Sequence, residues 1–225
     1  MVSRGRGRPI AGDPTALSTE QLLDAALDAF AERGYDGTSV REVARALGVS
    51  HNLIPQRIGT KAELWTAAVD RGFGLLLIDL AGALEVDPGD DVGRLRAVVV
   101  RFVEANAARP ALLRILTQEA AVPGPRFDYL FDTYIDPVRM FGGELMARLN
   151  EKGVLRTDSV ALLYFFMTHG AAGPVSLPAM AARFGEPLDA TDKADLHEHA
   201  ERAVDILFDG LVVSEHRAAT PAANN

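Results

Sequence analysis

Apolar residues recur along this chain at three- and four-residue intervals, and that spacing predicts helices over most of its length. Leu23, Ala26, Leu27, Phe30 and Ala31 form the first stripe, Asp24, Asp28 and Glu32 lie opposite it, and Gly34 marks its end. Ser39 and Glu42 then fit an S-x-x-E capping box, in which serine oxygen and glutamate satisfy orphan amide donors, so a second helix is expected from near Val40. It should stop at Leu47-Gly48, because glycine takes the left-handed closing conformation without penalty. Ser50 is placed to cap a third helix two residues later. Thr60 and Glu63 repeat the capping box, and Leu64, Ala67, Ala68, Arg71 and Leu75 carry a fourth helix past residue 80.

Further helices are expected at 92–108, 111–121, 127–151, 159–171 and 192–213. The breaks between them carry helix-stopping residues: Asp87-Pro88-Gly89, Arg109-Pro110, Pro123-Gly124-Pro125, Lys152-Gly153 and Gly173-Pro174. No alternating pattern of useful strand length occurs, so the fold class is all-α. The one long uncharged window, 160–182, is interrupted by Thr168, His169, Gly170, Gly173, Pro174, Ser176 and Pro178. It reads as a buried helix and its loop rather than a membrane span.

A helix that ends in glycine and restarts two residues later must turn a tight corner, which is the helix-turn-helix arrangement. Ala44 is small enough to allow close crossing. Val43, Leu47, Val49, Ile54 and Ile58 are expected to pack against Leu27 and Phe30. The second helix of such a corner can offer its polar face to the major groove of DNA.

Charge sharpens this division. The 225 residues carry a formal charge of −8, which argues against a protein that coats DNA everywhere. Residues 1–61, however, hold 8 Lys+Arg against 7 Asp+Glu, whereas 62–225 hold 15 against 24. The early part is the anion-binding candidate. Hydrophobic residues make up 48%, ample for a core, and the absence of cysteine excludes disulfides, thiolate zinc sites and thiol chemistry. Gly and Pro follow the basic N-terminus where an export signal needs an apolar run, so a cytoplasmic location is expected.

The run Asp24-Ala25-Ala26, Phe30-Ala31-Glu32-Arg33-Gly34-Tyr35, Thr38-Ser39-Val40-Arg41-Glu42-Val43-Ala44, Gly48-Val49-Ser50 and Thr60-Lys61-Ala62-Glu63-Leu64 resembles the DNA-binding domain of the TetR family. The resemblance covers about the first third of the chain. It implies a three-helix DNA-binding domain at 18–64 after a flexible basic arm at 1–17, then a helical ligand-binding and dimerisation domain at 65–215 and a disordered tail at 216–225. By the same resemblance Arg41 is a phosphate contact from the second helix, and Thr60 and Lys61 are contacts at the start of the fourth. Ser50, His51, Asn52 and Leu53 face bases or backbone.

One departure stands out. Leu53-Ile54-Pro55 occupies the place where the family commonly has Thr-Leu-Tyr. Proline lacks an amide proton and disfavours helical geometry in the residue before it, so the recognition helix should be distorted or begin late. Gln56 and Arg57 remain as donors toward DNA, against the plain alternative of a solvated face, and Leu53 can meet a thymine methyl. In the arm, Arg6-Gly7-Arg8-Pro9 resembles an AT-hook-like segment, with Arg6 and Arg8 in a narrow minor groove; the alternative is a simple basic tail.

Leu196, His199, Ala203, Ile206, Leu207 and Gly210 share a broad stripe, and 160–167 is almost wholly apolar. With their copies these helices would build a two-fold four-helix interface; the alternative is ordinary intrachain core. Aromatic residues crowd the middle helices. A cavity bounded by Phe102, Phe131, Phe165 and Phe166, with Gln118, Tyr134 and His169 as polar groups, would suit a small apolar or aromatic effector; the alternative is plain core.

Neither a phosphate-binding glycine loop nor a nucleophile elbow occurs, and His197 and His199 are two apart, on diverging faces. Asp90 and Asp91 read as helix-start charges. No catalytic residue, metal site or cofactor is expected. The expectation is a homodimeric repressor on a palindromic operator of double-stranded DNA, its recognition helices about 34 to 36 Å apart, released by a small-molecule effector. The alternative is a small-molecule-binding or enzymatic protein that kept the scaffold and lost operator binding.

Overall fold

The computed structural model describes residues 17–85 and 90–216. Arg6, Arg8 and most of the expected arm and tail lie outside the described residues. The chain divides into two compact units, Met1–Gly74 and Leu75–Asn225.

The first unit contains α1 (Thr19–Gly37), α2 (Val40–Ala46), α3 (Leu53–Arg57) and the beginning of α4 (Lys61–Glu85). Ser18 opens α1 with a capping box to Gln21 that the sequence reading had not marked. Gly34 breaks α1 as expected, at φ 72°, and the chain resumes one more turn before Thr38. The buried Thr38 hydroxyl donates toward the Gly34 carbonyl at 2.8 Å, closing that irregular end.

Leu22, Ala26, Leu27, Phe30, Val43, Ala44, Ile54, Leu64, Trp65, Ala68, Val69 and Phe73 are buried. Burial of each larger side chain contributes roughly 1.5–3 kcal/mol. The early turns of α4 supply the last five of these, and the first unit runs on along that helix to Gly74.

One expected cap is absent. Ser39 does precede α2, but its side chain makes no capping bond, and Glu42 lies 3.7 Å from Arg33 instead. The carboxylate has found a cation, which leaves the capping box unformed.

The second unit contains the end of α4 and α5 (Asp91–Ala108), α6 (Pro110–Ala121), α7 (Pro125–Leu130), α8 (Asp136–Glu151), α9 (Val160–Phe165), α10 (Gly173–Ser176), α11 (Pro178–Arg183) and α12 (Lys193–Leu211). Asp90, Ser159 and Asp192 cap α5, α9 and α12 through their side chains. The single helix expected at 127–151 is instead α7 and α8 joined by a π-helical turn at Phe131–Ile135. Pro137 has no amide to give to the carbonyl four residues back, and the ladder widens so that Asp136 N–H reaches Phe131 O. A second π-helical stretch, Phe166–Ala171, continues α9. The short helices α10 and α11 fall where sequence reading placed only a break.

Leu95, Val99, Val103, Leu145, Met146, Leu149, Leu163, Ala200, Val204 and Phe208 belong to one core cluster, so α5, α8, α9 and α12 share a single interior. A chain of charges borders it. Asp79, on α4, accepts from Arg101 Nη2 and from Arg109 Nη1, each at 2.7 Å. Arg101 also reaches Glu104, which accepts from His197 Nδ1 at 2.7 Å on α12, and Arg96 joins α5 to Glu201 and Asp205. No strand or membrane-length apolar helix occurs among the described residues; Leu155 and Val212 form one isolated antiparallel bridge.

Candidate nucleic-acid interface

The corner between α2 and α3 is built by backbone. Gly48, at φ 67°, donates to Arg45 O, and Val49 donates to Ala44 O at 3.0 Å. This pair of crossed bonds closes α2 and turns the chain outward. Ala44, the small residue expected at the crossing, is 1% exposed.

Proline sets the start of α3. The helix begins at Leu53, not directly after Ser50, and Asn52 precedes it without a side-chain cap. Pro55 therefore lies in the first turn, where its missing N–H would have had no partner inside α3. Ser50 Oγ accepts weakly from Asn52 N at 3.4 Å. Ile54 is fully buried, Leu53 is half-buried, and Ser50, His51, Asn52, Pro55, Gln56 and Arg57 are exposed. Burial of Ile54 leaves Pro55, Gln56 and Arg57 of this short helix facing outward.

At the start of α4 the expected capping box is present. Glu63 Oε2 accepts from Thr60 N at 2.7 Å and from Thr60 Oγ1 at 2.8 Å, and these bonds hold the carboxyl below its ordinary pKa. A Cβ on the preceding Gly59, at φ 115°, would come 2.2 Å from Glu63 Oε2. Lys61 extends over the Tyr35 ring, 4.6 Å from its centre, with Nζ 3.3 Å from Asp36 O. Tyr35, itself half-buried, stacks on Phe30 and meets Trp65 edge-on, so the platform beneath Lys61 rests on two core side chains.

Arg57 Nη1 donates to Leu17 O at 2.6 Å. Arg41 is exposed on α2, and Arg45, which the sequence reading passed over, is exposed one turn later. Its signal was available in the four-residue spacing of two arginines. The fold thus brings Arg41, Ser50, His51, Asn52, Leu53, Gln56, Arg57, Thr60 and Lys61 into one small unit.

The proposed effector residues differ in burial. Phe102 and Tyr134 are buried and Phe131 is half-buried, whereas Gln118 and His169 are exposed and Phe165 and Phe166 are 56% and 53% exposed. Two surface depressions of about 440 and 360 Å³ lie elsewhere, the first lined by Asp90, Arg94, Lys152 and His216 and the second by Glu186, Glu198, His199 and Arg202, among others. Among the described residues no group of three or more His, Asp or Glu is placed to hold a metal ion.

Residues 22–68 match the family model described as bacterial regulatory proteins, tetR family. Over 153 residues the chain is 32% identical to the HTH-type transcriptional repressor KstR2 of Rhodococcus jostii, spanning 65% of this chain and 72% of that one. This chain belongs to the TetR family. Among solved TetR-like structures, the ketosteroid transcriptional regulator KstR2 of Mycobacterium tuberculosis superposes with a TM-score of 0.67 at 20% identity, covering 92% of this chain and 98% of that one. AibR, in a complex with isovaleryl coenzyme A and operator DNA, superposes at 0.61 with 20% identity, covering 83% and 96%. These two likenesses are of fold. Other curated TetR relatives match over a shorter stretch, and the chain spans about half of their length.

Proposed function

We propose that this TetR-family chain is a DNA-binding transcriptional repressor released from its operator by a small-molecule effector. The observation that carries the reading is the outward-facing run from Ser50 to Arg57, set by the Gly48 corner and anchored by Ile54. Arg41, Thr60 and Lys61 supply the backbone contacts in this reading, and Ser50, His51, Asn52, Leu53, Gln56 and Arg57 meet base edges or nearby phosphates. Arg6 and Arg8 extend the contact into the minor groove.

A homodimer supplies the second half-site. On α12, Ile206 lies on the opposite side from Ala200, Val204 and Phe208 and is 73% exposed. Leu162, Phe165 and Phe166 are also exposed, which supports pairing of α9 and α12 with their copies. On this reading Phe165, Phe166 and His169 belong to the subunit seam, and Phe102, Phe131, Tyr134 and Gln118 remain the effector-binding candidates. The effector is apolar or aromatic in part, in keeping with these side chains. It acts by binding one conformer of the dimer better than another.

Gel shift against the DNA flanking the protein's own gene tests the reading. A shift with that DNA, weaker with unrelated duplex, is expected. No shift at low salt with either duplex overturns it in favour of a scaffold that no longer recognises an operator.

A further inference from the structure

The described part of the first unit holds six cationic side chains: Arg33, Arg41, Arg45, Arg57, Lys61 and Arg71. Four are engaged within the fold. Arg33 lies 3.7 Å from Glu42, Arg71 makes a two-point contact with Asp24, Arg57 holds Leu17 O, and Lys61 is held by Asp36 O and the Tyr35 ring. Arg41 and Arg45 have neither an ion pair nor a hydrogen bond from their side chains among the described residues.

These two stand four apart on the outer side of α2, opposite the buried Val43. Side chains at that spacing are neighbours on a helix surface, and like charges there repel. Glu42, the acidic residue of α2, is drawn toward Arg33, so it does not relieve them. The pair is therefore unfavourable in the free protein and becomes favourable only against an anion that carries charge at more than one point.

Such an anion is the backbone of duplex DNA. Each strand places a phosphate every 3.4 Å or so of helix axis, while one turn of α-helix rises about 5.4 Å. Two long arginines one turn apart can thus meet neighbouring phosphates of one strand. We infer that Arg45 is a second backbone contact beside Arg41, and that the two form a clamp on adjacent phosphates. This rests on the DNA-binding reading above, which assigned α2 a single contact.

The experiment is a salt titration of full-length wild type, Arg41→Ala, Arg45→Ala, Arg45→Lys and the double alanine variant. The probes are a duplex from the flanking DNA and a random-sequence duplex of equal length. Arg45→Ala should lower the slope of log K against log salt by about one unit and weaken both probes by the same factor. Arg45→Lys should restore the slope, and the double variant should lose about two units. The melting temperature of Arg45→Ala without DNA should not fall, because a repulsion has been removed; this separates a contact from a structural role. If wild type binds and the slope of Arg45→Ala is unchanged, the inference is overturned alone. If wild type binds neither probe, the DNA-binding reading falls and takes the clamp with it.

Discussion

The Lys61 ammonium is held 4.6 Å from the centre of the Tyr35 ring, which also packs against Phe30 and Trp65. A lysine is a flexible point charge, and the ring restricts where that charge can stand. Lys61→Ala should lower the salt slope of DNA binding by about one unit. Tyr35→Leu keeps the charge and frees its position, so it should weaken binding with the slope nearly unchanged. Salt titration of both variants distinguishes charge from placement, and an unchanged slope in Lys61→Ala rules out its phosphate role.

Asp79 bonds two arginines from two other parts of the second unit. Burial opposes ionisation of this carboxyl, but the hydrogen bonds from Arg109 and Arg101 outweigh it and hold the pKa below the ordinary value. Asp79→Asn leaves two guanidinium groups facing a neutral amide and should cost about 1–3 kcal/mol by chemical denaturation near pH 7. A depressed carboxyl contributes stability above its unfolded pKa and loses it as the pH falls through the folded one. The difference between wild type and Asp79→Asn should thus be constant at neutral pH and shrink below about pH 4. A gap that persists undiminished well below that pH contradicts the ionic origin.

Gly59 is fixed by its neighbour. Its φ of 115° and the Glu63 carboxylate 2.2 Å from a would-be Cβ both oppose a side chain. Gly59→Ala should destabilise the chain by about 1–3 kcal/mol. In a Glu63→Ala background the same change should cost less, since only the backbone conformation remains to oppose it. Equal costs in the two backgrounds, by thermal or denaturant unfolding, would mean that the carboxylate contact adds nothing.

Phe165 and Ile206 test the proposed pairing. Both are more than half exposed, so Phe165→Arg and Ile206→Glu leave the core of the second unit intact. Each should shift the protein from dimer to monomer in sedimentation velocity, with unchanged helical circular dichroism. A dimer that persists in both places the interface on another face.

Much of the helical order was legible in the sequence because helix ends are written locally. Gly48, Thr60 with Glu63, Ser159 and Asp192 act on residues within a turn of themselves, and each does so in the structure. Ser39 misled because its box partner, Glu42, was claimed by Arg33, nine positions back in the chain. The late start of α3 was among the consequences drawn from Pro55, whereas the π-helical turn before Pro137 was not, since a helical stripe looks continuous across such a widening. Which aromatic residues point inward was equally hidden. Phe102 and Phe166 read alike in the sequence, yet the fold buries the first and leaves the second facing out.

A recognition helix of five residues, one of them the buried Ile54 and another the proline, has a small vocabulary. One copy spells out too little to single out an address among the roughly 10⁶–10⁹ competing positions of a genome. The message becomes legible only when it is read twice at a set distance. Changes at the proposed subunit seam would then alter which genes are chosen, and not merely how firmly the protein holds together.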